Sequence, residues 1–214
     1  TANYSTCGFR SFEEHNVYLE NSEATSSKVR SASFSSSKVL INQAELAEEC
    51  PELLELFRWD GLKQLLQEAF HLSQLHCSAD ALGGVYLNFF EKGDQLGWHF
   101  DRSEYSVNLI LRECPTSESK RPGAFMYIPD SRDFLDRHPN FDVSALDGSC
   151  SYGLHPMVVP QLAPGTLYLF AGNRSLHCVS QNTTDICRVN AIFTFNPEPN
   201  VALNEYTRRK FFGA

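Results

Sequence analysis

The spacing of apolar residues divides the chain into a helical stretch and a longer β-rich stretch. Between Asn42 and Phe70, apolar side chains recur every three or four residues, which is the period of an amphipathic helix. Asn42 followed by Glu45 is a capping-box signature, and Asp60 marks a second helix start. Pro51 interrupts the first stretch. We therefore expect two short helices, the first broken or restarted at this proline, which pack by their apolar stripes.

Strands are predicted on both sides of these helices. The Ser-rich first 40 residues contain extended pieces around 15–19 and 38–41, which we expect to be strands or loops that flank the core. Beyond Ala81, short apolar runs alternate with turn residues, which is typical of an all-β core. The strands predicted there are 85–90, 107–111, 124–128, 166–170, 176–179 and 188–195. The long connection 129–164 is rich in Asp, Pro and Gly, and we expect it to act as a lid with one helical turn after Asp130.

The predicted architecture is mainly β with flanking helices (α+β). The 214 residues fit one large domain, in which 1–80 supply flanking strands and two helices packed on a core formed by 81–214. Hydrophobic residues make up 42% of the chain and charged residues 21%, values that exclude a disordered tail, a collagenous repeat or a coiled coil.

Charge and cysteine usage narrow the classes of partner. The net charge of −8 has the wrong sign for a protein that neutralises many phosphates, which argues against a nucleic-acid partner. No apolar run approaches the roughly 18 residues of a membrane helix, so no membrane partner is expected. Seven scattered cysteines without CxxC pairs favour reduced thiols and a cytoplasmic location. A small molecule is the expected partner, and the oligomeric state is left open.

Candidate chemistry begins with His99-Phe100-Asp101. In an extended segment, residues i and i+2 project to the same side, so this imidazole and this carboxylate converge. His177, on another predicted strand, adds a second imidazole. Two histidines and one carboxylate occupy one face of an octahedral metal and leave three positions open, as non-haem Fe(II) oxygenases require. Arg188 heads the next strand, where a guanidinium pointing into the core requires a buried anion.

These residues form part of a longer pattern that resembles the Fe(II)- and 2-oxoglutarate-dependent oxygenases with a double-stranded β-helix (jelly-roll) core. The resemblance covers 81–214. It is carried by Asn88-Phe89-Phe90-Glu91-Lys92-Gly93, Trp98-His99-Phe100-Asp101, Pro164-Gly165-Thr166, His177 and Arg188-Val189-Asn190. It implies that His99, Asp101 and His177 bind the iron. It further implies that Arg188 pairs with the distal carboxylate of 2-oxoglutarate, that Asn88 hydrogen-bonds this co-substrate, and that O₂ is consumed.

Within that superfamily, 93–103 and 206–213 are most similar to small single-domain oxygenases related to free-amino-acid hydroxylases and halogenases. The related halogenases replace the metal-binding carboxylate with Gly or Ala, so Asp101 favours hydroxylation. The resemblance thus implies a dioxygenase that hydroxylates a C–H bond of a small molecule, such as an amino acid or a derivative, with release of succinate and CO₂. The candidate substrate contacts flank the metal motif or share the face of Arg188: Trp98, Arg102, Ser103, Glu104, Asn190 and Thr194.

Three alternatives remain open at this point. The spacing from Asn88 to His99 also suits an AlkB-type demethylase of alkylated nucleic acid, although Phe90 stands where that family commonly has Tyr and no basic stripe with interleaved aromatics is present. A protein hydroxylase is a second alternative. The third is a non-catalytic metal-binding β-barrel, or a zinc hydrolase with Glu104 as its base, and either would leave Arg188 unexplained.

Overall fold

Two antiparallel sheets build the protein. The computed structural model describes residues 8–20, 25–115, 121–146 and 153–213. The strands in these ranges are β1 (Phe9–His15), β2 (Phe34–Ile41), β3 (His76–Cys77), β4 (Val85–Phe90), β5 (Leu96–His99), β6 (Tyr105–Arg112), β7 (Phe125–Ile128), β8 (Leu167–Phe170), β9 (Leu176–Val179) and β10 (Arg188–Asn196). The larger sheet has the order β1-β2-β4-β10-β6-β8, with β3 also on β10, and the smaller sheet has the order β5-β9-β7. This arrangement confirms the predicted mainly β, jelly-roll class.

Strand β10 lies at the centre of the larger sheet and shows how its two faces differ. It pairs with β4 on one side and with β6 on the other, and its first eight residues are buried. The odd-numbered positions 189–195 belong to an apolar cluster. The even-numbered positions 188–194 line a cavity and are mostly polar. Because strand side chains alternate between faces, one strand contributes to both the core and the site.

The apolar face is covered by a layer of helices, α2 (Gln43–Glu49), α3 (Pro51–Arg58) and α4 (Asp60–Phe70), which follow the single-turn α1 (Lys28–Ser31). Asn42 and Glu45 form the predicted capping box, and Pro51 starts α3 as its first residue. The predicted restart at this proline is therefore confirmed: it divides the first helical stretch into α2 and α3, and α4 is the second helix. Leu46, Phe57 and Leu66 are buried against β4 and β10 with their apolar neighbours.

Most predicted strands are confirmed within two residues, whereas 15–19, for which a strand or a loop was expected, is mostly a turn. The first strand runs earlier, from Phe9 to His15, and pairs with β2 along its whole length. Its buried positions are the polar Ser11, Glu13 and His15, whereas Phe12 on its other face is 67% exposed. In most strands the apolar side chains are buried and the polar ones are exposed, but in β1 this order is reversed. The sequence pattern therefore did not indicate a strand at this position. The short strands β3 and β5 were also not predicted.

The long connection after β7 carries the predicted helical turn as α5 (Arg132–Arg137), followed by a 3₁₀ turn at Val143–Ala145. Leu135, Val143 and Leu154 pack in a second apolar cluster with Phe100. None of the described residues among 129–146 and 153–164 lines the cavity. A lid role for 129–164 and the division into flanking elements (1–80) and core (81–214) stay predictions. In the structure, β1 and β2 belong to the same sheet as strands of the second segment.

The last helix, α6 (Glu205–Phe212), packs on β1, and the Ser11 hydroxyl donates to the carbonyl of Lys210 at 3.1 Å. Phe211 and Phe212 line the cavity from this helix. Of the helices in the described ranges, none is both long and apolar enough to cross a membrane. Cys50, Cys77, Cys114, Cys178 and Cys187 are free thiols.

Candidate metal centre

The register between β5 and β9 brings two histidines together. His99 is the last residue of β5 and lies directly opposite His177 of β9, with 4.1 Å between their ring centroids. Asp101 follows two residues after His99. Its backbone N–H donates to the carbonyl of Gly172 at 3.0 Å, which ties the end of β5 to the turn before β9. The pairing of two strands and this turn therefore assemble the predicted triad.

Both imidazoles present the same nitrogen to Asp101. Nδ1 of His99 bonds the carbonyl of Gly97 at 2.8 Å, and Nδ1 of His177 bonds the carbonyl of Ser175 at 3.0 Å. A carbonyl accepts, so each Nδ1 carries the proton and each Nε2 keeps its lone pair. The Nε2 atoms lie 3.5 Å and 3.4 Å from Oδ1 of Asp101. Three donor atoms thus face one point, each histidine already oriented by a backbone bond.

The protonation states also suit metal binding. Burial, together with the neighbouring His177, lowers the pKa of His99 to about 4, so its imidazole is neutral at pH 7. Burial alone would raise the pKa of Asp101, but the two adjacent histidines outweigh it and hold that pKa well below its usual range. A neutral imidazole and an ionised carboxylate are the forms that bind a metal ion.

The carboxylate of Asp101 is fixed by two features of its surroundings. The hydroxyl of Ser106 donates to Oδ2 at 2.8 Å. On the opposite side lies Gly172, where an added Cβ would stand 2.0 Å from Oδ2 and 2.8 Å from the Cβ of Asp101. Any larger residue at position 172 would overlap the side chain of Asp101. Glycine is therefore required there for Asp101 to keep its position as a metal ligand.

The donor set fits a ferrous ion. In the described part of the chain, His99, Asp101 and His177 are the one group of three or more metal-ligating side chains whose donor atoms converge, all within 4.8 Å of one another. Two histidines and one carboxylate, with room on the cavity side, form the facial arrangement of non-haem Fe(II) sites. His138 and His155, the other histidines of the second half of the chain, are exposed on the connection after β7.

The triad opens into a cavity of about 300 Å³ that both sheets line. Arg188, 1% exposed, lies in its wall. Its Nε lies 3.2 Å from Oε1 of Glu113, and its Nη1 donates to Oδ1 of Asn190 at 2.9 Å. Its Nη2 is buried and has no partner among the described residues. A buried guanidinium whose Nη2 group is unused favours an anionic ligand in the cavity.

Asn88 lies near this arginine and also has a buried polar atom without a hydrogen-bond partner. It is 4% exposed on β4, directly opposite Asn190 of β10, and its Oδ1 is buried without a partner among the described residues. Rotation about its last bond would present the amide NH₂ in the same place. Both unsatisfied groups line the triad's cavity. The cavity therefore offers a fit for a dicarboxylate co-substrate such as 2-oxoglutarate.

The structure separates the predicted substrate contacts into two groups. Four of them line the cavity: Arg102, Ser103, Asn190 and Thr194. The structure does not bring Trp98 or Glu104 to the described cavity wall. Trp98 precedes His99 in an extended segment, so it projects to the other side and packs against the second apolar cluster. Glu104 is exposed, and neither residue is among the described residues of the cavity wall.

Sequence reasoning missed one wall of the cavity altogether. Glu13 and His15 of β1 and Ser36 and Lys38 of β2 are buried and line it. The ring of His15 lies 6.1 Å from that of His99, and its Nε2 lies 2.6 Å from the hydroxyl of Ser36. The one available signal was an alternation of polar residues within an extended, Ser-rich segment.

Comparison with known proteins gives matches among solved structures. No family model and no curated protein matches the chain. The chain is similar to an oxidoreductase of the 2OG-Fe(II) oxygenase family from Burkholderia pseudomallei, with a TM-score of 0.54, 14% identity and coverage of 79% of this chain and 70% of that one. It is also similar to the non-heme alpha ketoglutarate dependent epimerase SnoN from nogalamycin biosynthesis, with a TM-score of 0.51 and 16% identity.

The second match covers 74% of this chain, which spans about three fifths (60%) of the epimerase's length. At these identities the likeness concerns the fold. The chain has the double-stranded β-helix fold of the 2OG-Fe(II) oxygenases, and it carries a His-Asp-His triad.

The contact between Gly172 and Asp101 gives a first prediction. Gly172→Ala should displace the Asp101 carboxylate and weaken Co(II) binding at least about 100-fold, because supporting contacts of metal ligands typically carry factors of 10 to 100 and this one moves the ligand itself. The Co(II) absorption band of the anaerobically loaded protein measures the affinity. Gly61→Ala, in helix α4 and away from the metal centre, is the control, because this glycine has no positive φ and its added Cβ would displace only the exposed ring of Trp59. Equal Co(II) affinity in the two variants would contradict the assignment.

Proposed function

We propose that the chain is an Fe(II)- and 2-oxoglutarate-dependent dioxygenase that hydroxylates a C–H bond of a small molecule, with release of succinate and CO₂. One observation carries this proposal. The triad His99, Asp101 and His177 opens into the same cavity as the buried, partly unpartnered guanidinium of Arg188. A zinc hydrolase or a non-catalytic metal site would not explain why the guanidinium of Arg188 is buried with an unused Nη2 group.

The chain's residues have separate tasks in this proposal. His99 and His177 hold the iron through Nε2 and Asp101 through its carboxylate, and the bound Fe(II) with 2-oxoglutarate supplies the activation of O₂. Arg188 binds the distal carboxylate of the co-substrate through Nη2, and Asn88 donates its amide to the same molecule. The apolar side chains of Phe90, Phe125 and Phe170 line the same cavity and limit its water content.

Glu113 orients Arg188. Its carboxylate accepts a hydrogen bond from Nε of the guanidinium at 3.2 Å. Burial raises the pKa of Glu113 and the positive charge of Arg188 opposes that rise, so the two groups depend on each other. With Nε bound to Glu113 and Nη1 to Asn190, the guanidinium cannot rotate, and Nη2 keeps one direction. The binding group is therefore oriented before the co-substrate arrives.

Hydroxylation is favoured over halogenation because Asp101 is a carboxylate. It occupies the ligand position that Gly or Ala leaves vacant in the related halogenases of the superfamily that the sequence resembles. The cavity volume of about 300 Å³ is at the low end of small-molecule sites, which suits an amino acid or a derivative.

The metal assignment predicts the behaviour of four single variants. His99→Ala, Asp101→Ala and His177→Ala should each reduce iron-dependent succinate formation to background while circular dichroism stays unchanged, because burial of the apolar face stabilises the fold. His138→Ala, on an exposed loop, is the control and should keep full turnover. Succinate release measured in a screen of amino acids, peptides and methylated oligonucleotides checks this result and identifies the substrate class. Wild-type turnover by any of the three triad variants at limiting Fe(II) would remove that residue from the ligand set.

The co-substrate assignment predicts a selective defect at Arg188. Arg188→Ala should raise the 2-oxoglutarate requirement about 30-fold to several thousand-fold, since loss of one partner of a buried charge pair costs about 2–5 kcal/mol. Fe(II) affinity should change little. Because this variant also leaves Glu113 buried and unpaired, the double variant Arg188→Met/Glu113→Gln provides a second form that should fold with the same defect. An unchanged KM for 2-oxoglutarate in a folded variant would refute the role of Arg188.

The reaction outcome is a further prediction. A substrate found in the screen should give a product that carries one oxygen atom from ¹⁸O₂, with the other atom in succinate, even at high chloride concentration. Mass spectrometry of both products measures this. A chlorinated product, or ¹⁸O in neither molecule, would count decisively against hydroxylation.

A further inference from the structure

Two charged side chains in the cavity wall have no task in the proposed reaction. Glu13 on β1 is 4% exposed and Lys38 on β2 is 5% exposed, and both line the cavity that contains the triad. Charged groups are rarely buried to this degree unless they are paired. Their presence in the wall therefore requires an explanation.

Neither charge is neutralised by a direct contact with the described residues. The ammonium of Lys38 lies 4.6 Å from the ring centre of Phe211 and forms no hydrogen bond or ion pair with the described part of the chain. Glu13 accepts one hydrogen bond, from the hydroxyl of Ser11 at 3.3 Å. Among the described residues, Glu13 and Lys38 do not form an ion pair with each other either. Each charge thus keeps binding capacity directed into the cavity.

The energetic cost of this arrangement is visible at Lys38. Burial lowers the pKa of its ammonium to about 8, although the carboxylates of Glu13 and Asp101 act in the opposite direction. The group is still mostly protonated at pH 7. A protein that keeps an ammonium charged in its interior, with an aromatic ring but no anion in contact with it, loses stability unless a ligand supplies the counter-charge.

The strand register sets the distance between the two charges. Glu13 pairs with Ser36 and Ser11 pairs with Lys38, so Glu13 and Lys38 are diagonal neighbours on one face of the β1-β2 pair. Such neighbours lie roughly 7–8 Å apart at their backbones, and their side chains can reach a common ligand. A molecule of a few atoms that carries a positive and a negative group can therefore contact both.

Helix α6 covers this part of the wall. Phe211 lies over Lys38, and the ring of Phe212 contacts that of Tyr86 at 5.5 Å between centroids. Apolar rings beside the two charges lower the local polarity, which strengthens the interaction of each charge with an opposite group on a ligand.

We propose that Glu13 and Lys38 form the substrate-binding subsite and that the substrate is a small zwitterion, whose anionic group binds Lys38 and whose cationic group binds Glu13. This inference rests on the proposed function, because it assigns the co-substrate to Arg188 and leaves β1 and β2 for the substrate. It predicts that both charges of the ligand are needed and that either one alone gives weak binding.

Ligand binding to the anaerobic protein loaded with Fe(II) and 2-oxoglutarate tests the inference without turnover. The probes are free L-amino acids, each compared with its N-acetylated and its C-amidated derivative by calorimetry. At least one free amino acid should bind, and both of its derivatives should bind at least about 30-fold more weakly, as expected when one partner of a buried charge is lost. Lys38→Met and Glu13→Gln should each cause a loss of the same size. Their matched controls are Lys28→Met and the outward-facing, exposed Glu14→Gln, which should bind as the wild type does.

A second measurement separates failure of this inference from failure of the proposed function. The visible band that forms when 2-oxoglutarate joins Fe(II) should be titrated in the same variants, with less than about a 3-fold change expected for Lys38→Met and a large one for Arg188→Ala. If the band never forms in the wild type, the proposed function fails. If the band forms and no amino acid binds, or if Lys38→Met weakens 2-oxoglutarate instead, the substrate subsite is refuted.

A third measurement excludes a purely structural role. The double variant Glu13→Gln/Lys38→Met removes both buried charges and should melt roughly 3 °C or more above the ligand-free wild type at pH 7, because the charges reduce stability in the absence of ligand. A lower melting temperature would show that the two residues stabilise the fold, and would overturn the inference.

Discussion

The separation of the two faces of the larger sheet is the constraint on which the other features depend. Successive side chains of strand β10 alternate between the apolar face under the helices and the mostly polar face that lines the cavity. Because side chains alternate, a shift of one residue in its pairing would move Arg188 into the helix-covered core and Val189 into the site. The apolar layer of α2 to α4 therefore fixes the register that positions Arg188 opposite Phe90 and Asn190 opposite Asn88.

Several charged side chains are buried around the cavity, whereas Asp80 and Asp94, which are buried elsewhere, are each paired with an arginine. Asp101, Arg188 with Glu113, and Glu13 with Lys38 all lie in or beside a space of about 300 Å³. A strand, a turn or another side chain fixes the position of each charged group. Several of these groups still have hydrogen-bonding capacity that no described residue uses. Side chains that bind a ligand lack hydrogen-bond partners and counter-charges until the ligand is bound. This part of the protein is therefore less stable than a core of apolar side chains would be.

Sequence alone predicted the parts of the structure in which pattern and burial agree. Strands β4 and β9 are apolar apart from Asn88 and His177, and His99, Asp101 and His177 stand in a spacing that has few other uses. The register of β1 was not predictable, because its buried side chains are polar and its exposed Phe12 is apolar. Closeness in sequence also misled: Trp98 adjoins His99, yet alternation turns it to the opposite side. Contacts such as Lys38 with Phe211 join distant segments and leave no local signal.

The cavity wall is completed by the two most distant parts of the described chain, since β1 packs against α6 and Ser11 bonds Lys210. The metal ligands lie between 99 and 177, so they are all synthesised before α6. During synthesis from the N-terminus, the strands around the triad are available to pair while the side that α6 covers is still open. Closing that side brings together segments almost 200 residues apart in the sequence. The loop-closure entropy rises only slowly with this separation, but the contact can form only after α6 has been synthesised. Assembly of the nascent protein would thus proceed from the metal end of the cavity outward.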